Sequence, residues 1–106
     1  MTDFDHTAFD EVLHSRVRLA VVAFLASAGE ADFTVVRDTI RTSDGNASVH
    51  LRKLEDAGYI GVRKHFVDRK PQTLYALTDR GRQALLDYVA HLESLLPPAK
   101  PKAKGK

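Results

Sequence analysis

The apolar positions of the chain follow helical spacing over most of its length and change to a strand-like pattern in one central stretch. The helical spacing predicts helices over residues 5–13, 16–27, 35–40, a stretch between Ser43 and Gly58, and 79–96. Ser15, Thr34, Ser43 and Thr78 precede helices and are the expected N-caps. Residues 59–66 and 72–77 predict a hairpin with a five-residue loop, and residues 31–33 a short extended link. The expected fold class is α+β, mostly helical.

The fourth predicted helix separates into two unlike faces. One carries Ala47, His50, Leu51 and Leu54, which suits packing on the preceding helices; the other carries Asn46, Val49, Arg52, Lys53 and Asp56. His50 is therefore expected to be a hydrogen-bonded packing residue. Val49 lies among basic side chains, where an aliphatic group could contact a thymine methyl in a DNA groove. The alternative is a single exposed valine, which is common on protein surfaces.

Positive charge is concentrated in the middle of the chain. The formal net charge is +2, but the four lysines of residues 97–106 contribute +4, so the remainder carries −2. Between residues 41 and 70 there are seven Lys and Arg against four Asp and Glu. For nucleic-acid binding, the distribution of charge is more informative than its total. A helix followed directly by a basic hairpin suits the two grooves of duplex DNA, and it makes DNA binding the leading hypothesis.

Two segments carry a resemblance to a known family. The run Gly-Asn-Ala-Ser-Val-His-Leu-Arg-Lys-Leu-Glu-Asp-Ala-Gly-Tyr-Ile and the later run Thr-Leu-Tyr-Ala-Leu-Thr-Asp-Arg-Gly resemble small winged helix-turn-helix transcriptional regulators of the MarR/ArsR type. The resemblance implies a homodimeric, sequence-specific regulator with N- and C-terminal dimerization helices. It also implies that Arg69, at the tip of the hairpin or wing, reaches the minor groove. The long paired terminal helices of larger MarR proteins are lacking, so no roomy ligand pocket is expected.

These arguments give a set of candidate DNA-binding residues. Arg52 is suited to paired hydrogen bonds with guanine, whereas lysines and arginines beside it are suited to phosphates. Arg69 at a wing tip would sense a narrow minor groove. The full set is Ser43, Asn46, Ser48, Val49, Arg52, Lys53, Arg63, Lys64, Arg69 and Lys70.

The last predicted helix carries more apolar surface than a domain of this size is expected to bury. Its stripe consists of Leu85, Tyr88, Val89, Leu92, Leu95 and Leu96. An apolar stripe at the end of a small domain usually meets a copy of itself. We expect a twofold homodimer on a pseudo-palindromic operator, in which this helix and the N-terminal helix, with Phe4, Phe9 and Val12, pair across the axis. The alternative is a monomer whose last helix folds back on its own core.

Composition bounds the remaining possibilities. Residues 1–96 are expected to form one DNA-binding and dimerization domain, and residues 97–106 a disordered Lys- and Pro-rich tail. The chain has no cysteine, and its five histidines show no spacing typical of metal ligands, so no metal site or cofactor is expected. No nucleophile and base recur in a catalytic pattern, which argues against an enzyme. The N-terminal residues lack a signal-peptide pattern, which predicts a cytoplasmic protein.

Two other functions remain compatible with the sequence. Winged helices also serve as protein-interaction modules, which would bind duplexes weakly and without salt dependence. A non-specific architectural DNA binder acting through the lysine tail is the second, and it would lose binding when residues 97–106 are removed.

Overall fold

The described part of the chain consists of three helices, a short strand after the first of them, a hairpin and a final helix. The structure is a computed structural model that describes residues 9–97. Its elements are α1 (Arg16–Ala28), β1 (Glu30–Asp32), α2 (Phe33–Ile40), α3 (Asp44–Asp56), β2 (Ile60–Val67), β3 (Lys70–Leu77) and α4 (Asp79–Ser94). The predicted α+β, mostly helical winged helix-turn-helix is confirmed. Phe4, which the sequence places at the dimer interface, lies outside the described residues. So do residues 98–106, which are nearly all of the predicted tail.

Side-chain caps fix where the helices begin. Ser15, Ser43 and Thr78 each accept a backbone N–H from the residue three positions on, at 3.3, 3.2 and 2.9 Å. These three predicted caps are confirmed. The predicted Thr34 cap is wrong, because Asp32 Oδ1 accepts the Val35 N–H at 2.9 Å and α2 therefore begins one residue before Thr34.

The predicted N-terminal helix over residues 5–13 is wrong for its described part. Residues 9–15 form turns, and the first helix of the described chain begins at Arg16. Asp10 closes this segment into a single turn: its Oδ1 accepts the N–H groups of Val12 and Leu13 at 2.8 and 3.2 Å, and its carbonyl accepts the His14 N–H at 2.7 Å. Asp10 also accepts a hydrogen bond from the Tyr59 hydroxyl, which fastens this segment to the body.

The sheet is antiparallel, with strand order β1-β3-β2. Residues 31–33 were expected to be only a link, but Ala31 pairs with Tyr75 in the sheet. The five-residue hairpin loop is also wrong: Val67 pairs with Lys70, leaving the two-residue turn Asp68-Arg69, at φ 50° and 68°. With this turn, Phe66 and Pro71 form a pair that does not exchange backbone hydrogen bonds. The N–H that proline lacks would therefore not have bonded to β2.

A single core joins the helices to the sheet. Its buried hydrophobic side chains are Leu13, Val21, Val22, Leu25, Ala31, Val36, Ala47, Leu51, Leu54, Ile60 and Tyr88. Tyr88 is only 7% exposed and contacts His14 Nδ1 through its hydroxyl at 3.0 Å. Its predicted place in a dimer interface is therefore wrong, because it lies in the core of its own chain.

Three further residues expected at the dimer interface pack within their own chain. Leu85, Phe9 and Val12 are partly buried against the core cluster. Phe9 stacks edge-on against the ring of His91, with centroids 4.6 Å apart. The N-terminal segment thus covers the domain's own core, because the Asp10 turn directs it back onto α1 and α4 instead of continuing outward as a helix.

The first turn of α4 passes very close to the chain before β2. A Cβ added at Gly81 would lie 2.1 Å from the carbonyl oxygen of Tyr59. That oxygen already accepts the Thr78 N–H at 3.0 Å, so it cannot move away without losing a bond. A glycine at position 81 is therefore required for α4 to dock on the hairpin.

We expect Gly81→Ala to lower the free energy of unfolding by about 3 kcal/mol, because the added methyl group overlaps backbone atoms. Gly45→Ala is the matched control, since a Cβ at this exposed helical position meets nothing within 4 Å. It should raise the free energy of unfolding by up to about 1 kcal/mol through helix propensity. Urea denaturation of both variants measures the difference, and equal effects would contradict the close approach.

Candidate nucleic-acid interface

One long face of α3 is open to solvent. Ser48, Val49, Arg52 and Lys53 lie along it at helical spacing and, with Asp56, line a shallow depression of about 470 Å³. Val49 is 54% exposed, although it lies next to two basic side chains. Asn46 and Ser43 are exposed at the start of the helix, but Ser43 already uses its hydroxyl oxygen as the cap. The face offers hydrogen-bond donors, acceptors and an aliphatic group side by side.

The opposite face holds α3 on the body. Ala47, Leu51 and Leu54 are buried there. His50 is half-buried beside them, and Arg18 Nη1 lies 3.0 Å from its Nδ1. The predicted packing role of His50 is confirmed. Arg18 also donates from Nε to the Val12 carbonyl at 2.6 Å, so this one guanidinium joins the N-terminal turn, α1 and α3.

The environment of His50 disfavours its charged form. Burial lowers its pKa below the usual 6.5, and the charges of Arg18 and Lys53 lower it further. Arg18 has only donors, so Nδ1 of the neutral ring acts as the acceptor. Protonation would place a second donor against the guanidinium and would break this contact.

The hairpin divides its basic side chains between two faces. Because successive side chains of a strand alternate, Lys64 and Phe66 share the face of buried Ile60, while Arg63 and His65 point to the outer face. Arg63 Nη2 lies 3.0 Å from Glu30 Oε2 on β1. Lys64 is therefore on the same side of the sheet as the helices, whereas Arg63 is on the opposite side with an acidic partner.

The end of the hairpin is strongly exposed. Arg69 and Lys70 are open to solvent, and both turn residues, Asp68 and Arg69, have the positive φ that favours glycine. Phe66 is 73% exposed beside this end, a feature that the sequence pattern did not single out. The wing, which we define as β2, β3 and the turn at residues 68–69, thus presents two cations and an aromatic ring.

Polar contacts outside the candidate set link the wing to the start of α2, and α2 to α3. Gln72 on β3 contacts two side chains: its Oε1 lies 2.5 Å from His65 Nε2, and its Nε2 lies 3.1 Å from Asp32 Oδ2. Arg37 on α2 pairs with Asp44 at 2.7 Å and with Asp38 at 2.9 Å, and hydrogen bonds to these two carboxylates raise the pKa of its guanidinium above the ordinary value. Sequence reasoning missed both sets. Only the strand register and the helix-helix docking bring these residues together.

The sequence profile described as a winged helix DNA-binding domain matches residues 17–96. The chain belongs to this family. It is similar to an uncharacterized protein of Methanocaldococcus jannaschii, at 27% identity over 85 residues that span 80% of this chain and 92% of the relative. Residues 17–96, which the family profile matches, include α3 and the wing.

Solved structures share the fold of this winged helix. A transcriptional regulator homologue from Pyrococcus horikoshii aligns with a TM-score of 0.76 at 28% identity, over 81% of this chain and 85% of that chain. ZitR of Lactococcus lactis, a zinc-responsive MarR-family member, has been solved with DNA. It aligns with a TM-score of 0.63 at 16% identity, over 80% of this chain and 57% of that chain. The predicted resemblance to MarR-type regulators is confirmed at the level of the fold.

Residues 9–97 contain neither a cluster of metal-ligating side chains nor a membrane-spanning helix. No group of three or more His, Cys, Asp or Glu side chains is placed to hold a metal ion in this part of the chain. No helix within the same residues is long and apolar enough to cross a membrane.

We expect His50 to make the stability of the protein depend on pH. Its folded-state pKa lies below the unfolded value, so the unfolded chain binds the proton first as the pH falls. The stability that neutral His50 contributes is complete above the unfolded pKa and is lost as the pH falls below it. Urea denaturation at about pH 7.5 and about pH 5.5 should show a smaller loss for His50→Gln than for the wild type. An equal loss would contradict this role.

Proposed function

We propose that the protein is a homodimeric, sequence-specific DNA-binding transcriptional regulator. In this proposal α3 is the recognition helix and enters the major groove, and the wing lies at the adjacent minor groove. The observation that carries the proposal is the open face of α3 in a chain of the winged helix DNA-binding family. A helix held on the core by one edge leaves the other edge free for the groove.

The exposed face of α3 suits direct readout. Arg52 is the candidate for guanine, and Asn46, Ser48 and Val49 are candidates for the neighbouring base edges. Lys53, Lys64 and Lys70 are exposed and suited to phosphates. Arg63 is the least suited of the proposed set, because it lies on the outer face of the sheet and pairs with Glu30. Ser43 is proposed to act by capping the recognition helix.

Backbone strain at the wing tip supports a role for Arg69. Its φ of 68° is costly for a residue with a Cβ, and glycine would adopt it more easily. Among residues 9–97, no hydrogen bond or ion pair of the Arg69 side chain explains why an exposed arginine occupies such a position. A long cation at the end of a narrow hairpin is well placed to enter a minor groove of strong negative potential.

The exposed apolar side chains of α4 and of the two residues that follow it support a dimer. They are Leu86, Val89 and Leu92 on the helix and Leu95 and Leu96 after it, of which Leu96 is 69% exposed. This set replaces the predicted stripe, since Tyr88 and Leu85 pack in or against the core. A second copy of the same helix would cover the patch, and twofold symmetry would bring two recognition helices onto one face of a pseudo-palindromic site.

Arg69→Gly should stabilise the protein and weaken DNA binding at the same time. Relief of the positive φ raises the free energy of unfolding by about 0.5–1 kcal/mol, whereas loss of the cation costs about 1–3 kcal/mol of binding. Asp68→Gly is the matched control, because position 68 also has positive φ but carries an acid. It should stabilise the fold without weakening binding. Denaturation and fluorescence anisotropy, with a duplex selected from a random pool, give the two readouts.

Arg52→Ala should relax sequence preference, and Lys53→Ala should not. Removing the proposed guanine contact costs about 1–3 kcal/mol on the selected duplex and less on a scrambled one. Removing a phosphate contact weakens binding to both duplexes alike and lowers the slope of log affinity against log salt by about 1. Arg82→Ala, an exposed arginine on α4, is the control. If Arg52→Ala bound both duplexes like the wild type, the assignment of the reading face would be wrong.

Val89→Glu should convert the protein from a dimer to a monomer. Light scattering of the wild type at micromolar concentration should give twice the chain mass of 11.8 kDa, because the apolar face of α4 is paired. The control is Ser94→Glu, which adds the same charge on the polar side of α4. A monomeric wild type, or a dimeric Val89→Glu variant, would contradict the proposed interface.

A further inference from the structure

Most of the wing extends beyond the three-stranded part of the sheet. The last pair between β1 and β3 joins Asp32 and Leu74. Residues 70–73 of β3 therefore have β2 as their only strand neighbour within the described chain. A two-stranded ribbon twists and bends more readily than a wider sheet. Its direction relative to the recognition helix has to be fixed by side chains.

We propose that Gln72 is a positioning residue that holds the wing at a fixed angle to the recognition helix by bridging His65 to Asp32. The Gln72 Nε2 group donates to Asp32 Oδ2 at 3.1 Å. Its Oε1 atom lies 2.5 Å from His65 Nε2, which donates to it. One amide thus joins both strands of the wing to the last residue of β1, just beyond the point where strand pairing ends.

The acceptor of this bridge belongs to the helix-turn-helix. While Asp32 Oδ2 accepts from Gln72, its Oδ1 accepts the Val35 N–H at 2.9 Å and caps α2. A single carboxylate is therefore shared between the wing and the first turn of α2. Hydrogen bonds to a charged acceptor are stronger than those between neutral groups, so this one is suited to fixing an orientation.

The other end of α2 is fastened to the recognition helix. Arg37 Nη1 lies 2.7 Å from Asp44 Oδ1, in the first turn of α3. The polar chain therefore runs from His65 and Gln72 through Asp32, along α2 to Arg37, and on to Asp44. It fixes the wing tip relative to the face of α3, and that relation decides which minor-groove position Arg69 meets when α3 lies in the major groove.

The DNA part of this inference rests on the proposed function, but the positioning part can be measured without DNA. Gln72→Leu removes the bridge at nearly constant size, and Gln72→Glu keeps the size but places a carboxylate against Asp32. Gln83→Leu is the matched control, since Gln83 Nε2 donates to Asp87 Oδ1 at 2.9 Å on α4, away from the wing. Nitrogen-15 relaxation of the free proteins should show that residues 68–70 move more in both Gln72 variants than in the wild type. The control should match the wild type. Unchanged wing motion would overturn the proposal.

A double-mutant cycle with Arg69→Ala supplies the readout that a merely stabilising residue would not change. If Arg69→Ala weakens binding of the selected duplex about tenfold in the wild type, it should do so by about twofold or less in Gln72→Leu, because the wing is already misplaced. Equal losses in both backgrounds would overturn the proposal. A wild type that binds no duplex would overturn the proposed function, and the relaxation measurement would still decide the role of Gln72.

Discussion

Burial of one edge of α3 is the constraint on which the rest of the structure depends. Leu51 and Leu54 lie in the core with Ile60 of the hairpin, so the same contacts hold the helix and the base of the wing. Burying side chains of this size contributes about 1.5–3 kcal/mol each. Because the inner edge is used in this way, the opposite face with Val49 and Arg52 is left open. Anchoring the helix along its inner edge leaves this face free, and it is the surface proposed to read DNA.

Polar contacts then fix what the apolar core leaves free. Arg18 joins α1 to α3 through His50, and Arg37 joins α2 to the start of α3. Gln72 does the same for the wing through Asp32. Each contact joins side chains that are only partly buried, so its contribution to the stability of the fold is modest. Their proposed effect is on the angles between elements, which the proposed contact of α3 and the wing with two grooves depends on.

The sequence predicted the helices better than the sheet, for identifiable reasons. Helical spacing and the caps at Ser15, Ser43 and Thr78 are local signals, and they placed three helix starts correctly. The strand character of residues 30–32 depends on pairing with distant β3, which no local pattern reveals. The Asp68-Arg69 turn lacks the glycine typical of two-residue hairpins, so the loop was predicted too long. The inward position of Tyr88 and the Gln72 bridge depend on tertiary docking, and the apolar stripe of α4 alone could not separate core from surface.

The measurement that tests the central claim most directly is selection of duplexes from a random pool by the purified protein. Two recognition faces on a twofold dimer should enrich two inverted half-sites whose centres are about 10–10.5 base pairs, or 34–36 Å, apart. Enrichment of such sites, with a guanine preference that Arg52→Ala removes, is the result that the account predicts. A pool that stays random after repeated rounds, although the protein is folded, would contradict it.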